Sequence, residues 1–190
     1  MDSDGNFVKW GWLSTDEIHH GLHRLGLTGF VSLVAADKDP PVLSPGQVAI
    51  VLVQKHYISL VQLSNRLIYF DPLNRPFKSY FPDASVNLSP VNCLIQPLTS
   101  NLCGNYNLIF LHVLFRQPRV DENRMIHNLR QGLASLFYIF PASIEANDMM
   151  AEFFTADWQI GEEFMGVGGQ TGYKRFKCYL AEYSRAAITG

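Results

Sequence analysis

The chain has 190 residues, of which 47% are hydrophobic and 17% charged. That is the size and composition of one domain able to bury a core, and it excludes global disorder. Fifteen Lys and Arg against 17 Asp and Glu give a formal net charge of -2, which excludes a strongly basic nucleic-acid binder. No run of 18 uncharged apolar residues occurs, so no membrane span is expected. The stretch Met1 to Trp12 carries Asp2, Asp4 and two tryptophans and does not read as a secretory leader. Three cysteines cannot build a disulfide framework. They fit a reducing compartment, with any one a candidate thiol nucleophile.

Ser14-Thr15-Asp16-Glu17 is a capping-box signature, and Ile18, Leu22 and Leu25 follow at helical spacing. This predicts a helix over about 15–25, stopped by Gly26. On it His19 and His23 have the i, i+4 spacing of two metal ligands, but no third ligand is suggested and no metal is expected. Phe30 to Ala35 reads as a short strand. The proline-rich stretch 37–45 reads as a loop. Gln47–Val53, Tyr57–Leu63 and Arg66–Phe70 follow as three strands with short breaks, a meander of antiparallel neighbours. The stretch 72–90, with four prolines, reads as a loop holding at most a turn of helix, and Val91–Ile95 as a further strand. After Cys103-Gly104 the spacing of Tyr106, Ile109, Phe110, Val113 and Leu114 predicts a helix closed by Pro118. Helices are predicted over 122–140 and 143–154 as well. The fold class expected is α+β, with helices around a central, mostly antiparallel sheet. Residues 1–160 form the domain. Residues 161–190, Gly-rich and then basic and aromatic, are a C-terminal appendage.

Four residues stand out chemically. Cys103 precedes a strongly periodic helix, where unpaired N–H groups and the helix dipole favour a thiolate. On position alone a small buried apolar residue is the plainer reading. His56 opens the second meander strand and Asp71 closes the third. A turn near Ser64-Asn65 brings His56 opposite Asp71 or one step past it. A carboxylate beside an imidazole fixes its tautomer and stabilises its charged form. The alternative is an ordinary ion pair at a sheet end. Gln96 ends the last predicted strand, seven residues before Cys103. Its amide can donate to an oxyanion, as can the Cys103 N–H; a solvated loop glutamine is the plainer reading. Together the four supply a nucleophile, a base, an orienter and an oxyanion donor.

The order and spacing resemble the adenovirus protease (adenain) family of cysteine proteases, related in fold to the ubiquitin-like-protein proteases. The matching pieces are Lys55-His56-Tyr57, then Leu67-Ile68-Tyr69-Phe70-Asp71-Pro72-Leu73, then Gln96-Pro97-Leu98-Thr99-Ser100-Asn101-Leu102-Cys103-Gly104. The resemblance covers about residues 20–140 and is strongest over 47–115. It implies the cysteine-protease fold of that type, with Cys103 attacking the scissile carbonyl and His56 acting as base and then acid. Asp71 would orient His56, where adenoviral enzymes usually carry Glu and many ubiquitin-like-protein proteases carry Asp. Gln96 would line the oxyanion hole with the Cys103 N–H. Tyr57 fills a site where the family often has a Trp stacked on the histidine.

The resemblance also implies a viral endopeptidase that cuts capsid or core precursors at Gly-rich sites during maturation, in the virion and the host nucleus. No small-molecule cofactor is implied. Family members are activated by a short basic peptide with a Cys and an aromatic near its end, which pairs as an added strand. Lys174-Arg175-Phe176-Lys177-Cys178-Tyr179 has that composition, so the tail resembles a built-in activating segment, with Cys93 the thiol that would meet Cys178. The alternative is a terminal strand with a solvated basic face. DNA is the family's second activator. A pI near 6.3 argues against it here, and Arg116, Arg119, Arg124 and Arg130 read either as one local patch or as solvated helix faces. Two rivals are an isopeptidase acting on the Gly-Gly tails of ubiquitin-like proteins and an inactive scaffold of the same fold. The complete set of four residues argues against the scaffold.

Overall fold

The computed structural model describes residues 13–118, 120–137, 144 and 146–156. Ser14 closes the capping box: its hydroxyl accepts the Glu17 N–H, and its own N–H donates to the Glu17 carboxylate at 2.7 Å. It starts helix α1, Thr15–Arg24. Gly26 takes φ +69 just beyond the helix end, a conformation glycine adopts without a Cβ penalty.

Five strands follow: β1 (Val31–Ala35), β2 (Val48–Val53), β3 (His56–Gln62), β4 (Leu67–Phe70) and β5 (Leu88–Pro90). They form one open sheet in chain order. The meander β2-β3-β4 is antiparallel, as its short breaks require. The expectation of a mostly antiparallel sheet is corrected at both edges, because β1 pairs parallel to β2 and β5 parallel to β4. The intervening segments 36–47 and 71–87 are long enough to carry the chain back to the same end of the sheet, which parallel pairing demands.

A second correction concerns the last strand. Residues 91–95 are not a strand, and β5 lies in the stretch expected to be loop. Pro90 is tolerated because β5 is an edge strand, where a missing N–H leaves no ladder bond unmade. Asn92 at φ 52 then breaks the extended run. The backbone on either side of it pairs outside any ladder: Arg130 donates to the Val91 carbonyl, and the Ile95 N–H to the Pro72 carbonyl.

Both faces of the sheet are covered, so β2 is apolar almost throughout. Ile50, Tyr57, Val61, Ile68 and Phe70 pack under the helices. Their opposite-parity neighbours Val51, Ile58, Leu60 and Tyr69 pack under segment 72–88, whose single 3-10 turn, Phe77–Ser79, brings Phe77, Tyr80 and Phe81 onto the sheet. Helix α2, Cys103–Phe115, crosses β3 and is buried on every side down to Leu114, as a central helix must be. The Phe110 ring stacks on Phe70 at 4.4 Å and 6°. Helices α3 (Glu122–Phe137) and α4 (Ala146–Ala156) pack against α2. Residue 143, where the last helix was expected to start, lies outside the described residues, and α4 runs to Ala156, two residues past the predicted end. The proposed appendage at 161–190 lies outside the described residues.

The β2–β3 connection is a two-residue turn in which Gln54 and Lys55 both have positive φ, 50° and 61°. This is the hairpin geometry that selects Asn-Gly, and a residue with a Cβ in it costs about 1 kcal/mol. Lys55→Gly is therefore expected to raise Tm by about 2–4 °C. Thermal melts of the variant and wild type check this; an unchanged or lower Tm would show that the turn is not strained.

Candidate active site

β3 begins at His56, directly after the strained turn, so its side chain sits at the end of the sheet. Asp71 directly follows β4. The β3–β4 register pairs Ser59 with Phe70. Extended by one pair, it sets Asp71 opposite Ile58, two residues from His56 and on the same face. The expected near-opposite placement is thus corrected to a same-face diagonal, still within reach of a ring and a carboxylate. His56 Nε2 lies 2.7 Å from Asp71 Oδ1, and both side chains are buried.

Asp71 accepts from three more groups. The Leu73 N–H reaches Oδ1 at 2.8 Å, while the Arg75 N–H and the Tyr80 hydroxyl reach Oδ2 at 3.1 and 2.9 Å. The Tyr69 hydroxyl lies 3.4 Å from Oδ2 and donates its one proton to the Arg75 carbonyl at 2.7 Å, which braces the same turn. The turn after β4 folds back on the carboxylate, and that convergence fixes its rotamer. The Tyr80 ring lies parallel to His56, 6.0 Å away at 6°. Tyr80 therefore both covers the imidazole and holds its acceptor. Tyr57, assigned the stacking role by resemblance, is buried in the core beneath the helices.

Cys103 is the first residue of α2 and is buried. Leu102, its N-cap, makes no side-chain cap, so the first-turn N–H groups, that of Cys103 included, have no side-chain acceptor from it. Gly104 is required here by packing: a Cβ would stand 2.9 Å from Ile18 Cδ1 and 3.1 Å from Leu13 Cβ. The close approach that a glycine beside Cys103 permits is thus made by Ile18 of α1 and by Leu13, which precedes its N-cap.

His56 bridges the two sides of the site. Burial pulls its pKa down. Hydrogen bonds to Asp71 and Cys103, with the charge on each, outweigh burial and push it up to about 9. Since Nε2 serves Asp71, Nδ1 is the ring atom left for the thiol. His112, further along α2, shows burial acting without a carboxylate partner. Its pKa is driven down to about 4 by burial and by the Arg116 charge.

Gln96 is buried, and its Nε2 donates to the Ser100 carbonyl at 2.9 Å. Its backbone N–H donates to the Pro72 carbonyl, which ties this loop to the turn that carries Asp71. The fold thus brings His56, Asp71, Gln96 and Cys103 to one end of the sheet.

Sequence reasoning missed three contributors. Tyr69 stands two residues before Asp71, and strand parity alone places it on the same face. Asn107 was visible as one of two amides, with Asn105, in an otherwise apolar helix, one turn after Cys103. Its Nδ2 donates to both the Tyr57 and Cys103 carbonyls, at 2.7 and 2.8 Å, and so ties β3 to the start of α2. Tyr80 left no signal, since it lies in a proline-flanked loop without periodicity.

Cys93 is buried, and Cys178 lies outside the described residues, as does the whole basic-aromatic segment. Arg130 donates to the Pro90 and Val91 carbonyls rather than standing in an open cationic patch. His19 and His23 are exposed, and no group of three metal-ligating side chains occurs among the described residues. No helix among them is long and apolar enough to cross a membrane. No protein-family model and no curated protein matches the chain.

Proposed function

We propose that the chain is a cysteine endopeptidase with the fold of the adenovirus-protease type. The observation that carries this reading is His56, a buried imidazole shared between the Asp71 carboxylate and the thiol that heads α2. With its pKa at about 9, His56 is an imidazolium at neutral pH, and a thiolate beside it is the ion pair of a nucleophilic cysteine. Cys103 Sγ attacks the scissile carbonyl carbon, and the amide C–N bond breaks as His56 gives its proton to the leaving amine. Water, deprotonated by His56, then hydrolyses the thioester. Negative charge on the carbonyl oxygen is met by the Cys103 N–H and the Gln96 amide.

The resemblance supplies the rest of the proposal. Substrates are viral capsid or core precursors, cut next to glycine in the virion and the host nucleus. No small-molecule cofactor takes part. An activating peptide, the chain's own 174–179 segment or a separate one, strengthens the site, and the near-neutral charge of the chain disfavours activation by DNA.

Iodoacetamide alkylation across pH, with site mapping by mass spectrometry, tests the chemistry. Cys103 is expected to be alkylated faster than Cys93, and to lose that advantage in His56→Ala. Equal rates at Cys103 and Cys93, with and without a peptide copy of 170–182, would reject the nucleophile. Fluorogenic peptides with glycine before the cut, run beside ubiquitin-like C-terminal probes, then separate an endopeptidase from an isopeptidase.

A further inference from the structure

Under the protease reading, the oxyanion donor must be held still before substrate arrives. The Gln96 amide is held loosely by its own contacts. Nε2 has the Ser100 carbonyl, while Oε1 is buried with no hydrogen-bond partner among the described residues. The orientation of the amide therefore depends on where Ser100 stands.

Ser100 is set by α4. Its hydroxyl donates to Asp148 Oδ1 at 2.8 Å and accepts the Leu102 N–H at 3.1 Å, one residue before Cys103. The same Asp148 oxygen accepts the Tyr106 hydroxyl at 2.8 Å, which fastens the first turn of α2 to α4. The neighbouring Asn147 is buried and donates through Nδ2 to the Ile95 carbonyl at 2.8 Å. Two successive residues of α4 thus grip both ends of the loop that carries Gln96. One of them also grips the helix that carries Cys103.

We propose that Asp148 is a positioning residue for oxyanion stabilisation, holding the Gln96 amide through Ser100 while leaving the Cys103–His56 pair to its own supports. His56 is fixed by Asp71 and Tyr80, and the start of α2 is tied to β3 by Asn107, so the Tyr106–Asp148 bond is not the sole support of the helix that carries Cys103. Amide hydrolysis passes through an oxyanion. Displacement of iodide from iodoacetamide does not.

The two reactions must therefore part company in Asp148→Ala. The kcat for a glycine-flanked peptide is expected to fall about 10- to 100-fold, somewhat less than the 10²–10³ lost with an oxyanion donor itself. KM and the alkylation rate of Cys103 are expected to stay within about twofold. Asp148→Asn restores most of the loss, because an amide oxygen can accept the same two hydroxyl hydrogen bonds. Should Asp148→Ala fail to fold, Ser100→Ala cuts the same link from the loop side and is expected to show the same split. An unchanged kcat, or a kcat and alkylation rate that fall together, overturns the inference while the protease reading stands. A wild type with neither fast alkylation nor turnover removes the reading and the inference with it.

Discussion

Cys103→Ala is expected to lower peptide turnover by about 10⁴- to 10⁶-fold, the range seen when a nucleophile is removed from a set of groups that act as a unit. The fold should survive. The change removes one buried sulfur from a chain of ordinary stability, and losses of that size cost about 1–2 kcal/mol. Cys93→Ala is the matched control, because both cysteines are buried to a similar degree, 5% and 2% exposed, and lose the same atom. Cys93 takes no part in the bond-breaking steps, so a similar drop in Tm should come with turnover within about tenfold of wild type, any such partial loss reporting the Cys93–Cys178 link to the activating segment. Steady-state kinetics and thermal melts on the two variants separate packing from chemistry. Turnover that persists in Cys103→Ala, or that falls equally in both, would sink the assignment.

Local rules made much of this fold legible. The capping box at Ser14 and Glu17, the two short breaks in the meander and the periodic run after Cys103 are signals that a few neighbouring residues determine, and each element stands where it was expected. The misses are non-local. Pairing partners for β1 and β5 depend on where long connections return, which periodicity does not encode. Residues 91–95 look like a strand by composition. Their hydrogen bonds go instead to Tyr69, Pro72 and Arg130, distant in the chain. The site divides the same way. His56 and Asp71 were legible because one tight meander relates them, and Gln96 and Cys103 because a recognisable spacing does. Tyr80 and Asp148 reach the site from a loop and from a later helix, so only tertiary structure reveals them.

Asp71→Asn is expected to be the most damaging conservative change in the molecule. Four donors converge on the carboxylate: His56 and the Leu73 N–H on Oδ1, and the Arg75 N–H and the Tyr80 hydroxyl on Oδ2. An amide turns one of these acceptors into a donor, so whichever way it faces, two of the four donors lose their acceptor. Breaking one side of a buried charged network costs about 3–5 kcal/mol. For a chain of this size that lowers Tm by about 6–20 °C. The pH dependence should change as well. In the wild type His56 binds its proton more tightly folded than unfolded, with a pKa of about 9 against 6.5. Its contribution to stability is complete below pH 6.5 and declines as pH rises through 9, because over that window the folded state holds the extra proton. Without Asp71, burial dominates and the pKa falls. The decline in stability between pH 6.5 and 9 should then disappear, and the alkaline limb of turnover, near pH 9 in the wild type, should move to lower pH. Turnover itself should drop about 10⁴-fold, as when the orienting carboxylate of a catalytic triad becomes an amide. Chemical denaturation at pH 6.5 and 9, with pH–rate profiles of both proteins, reads all three effects. An alkaline limb that stays near pH 9 in Asp71→Asn would mean that Asp71 does not hold the proton on His56, and the orienting role would fall.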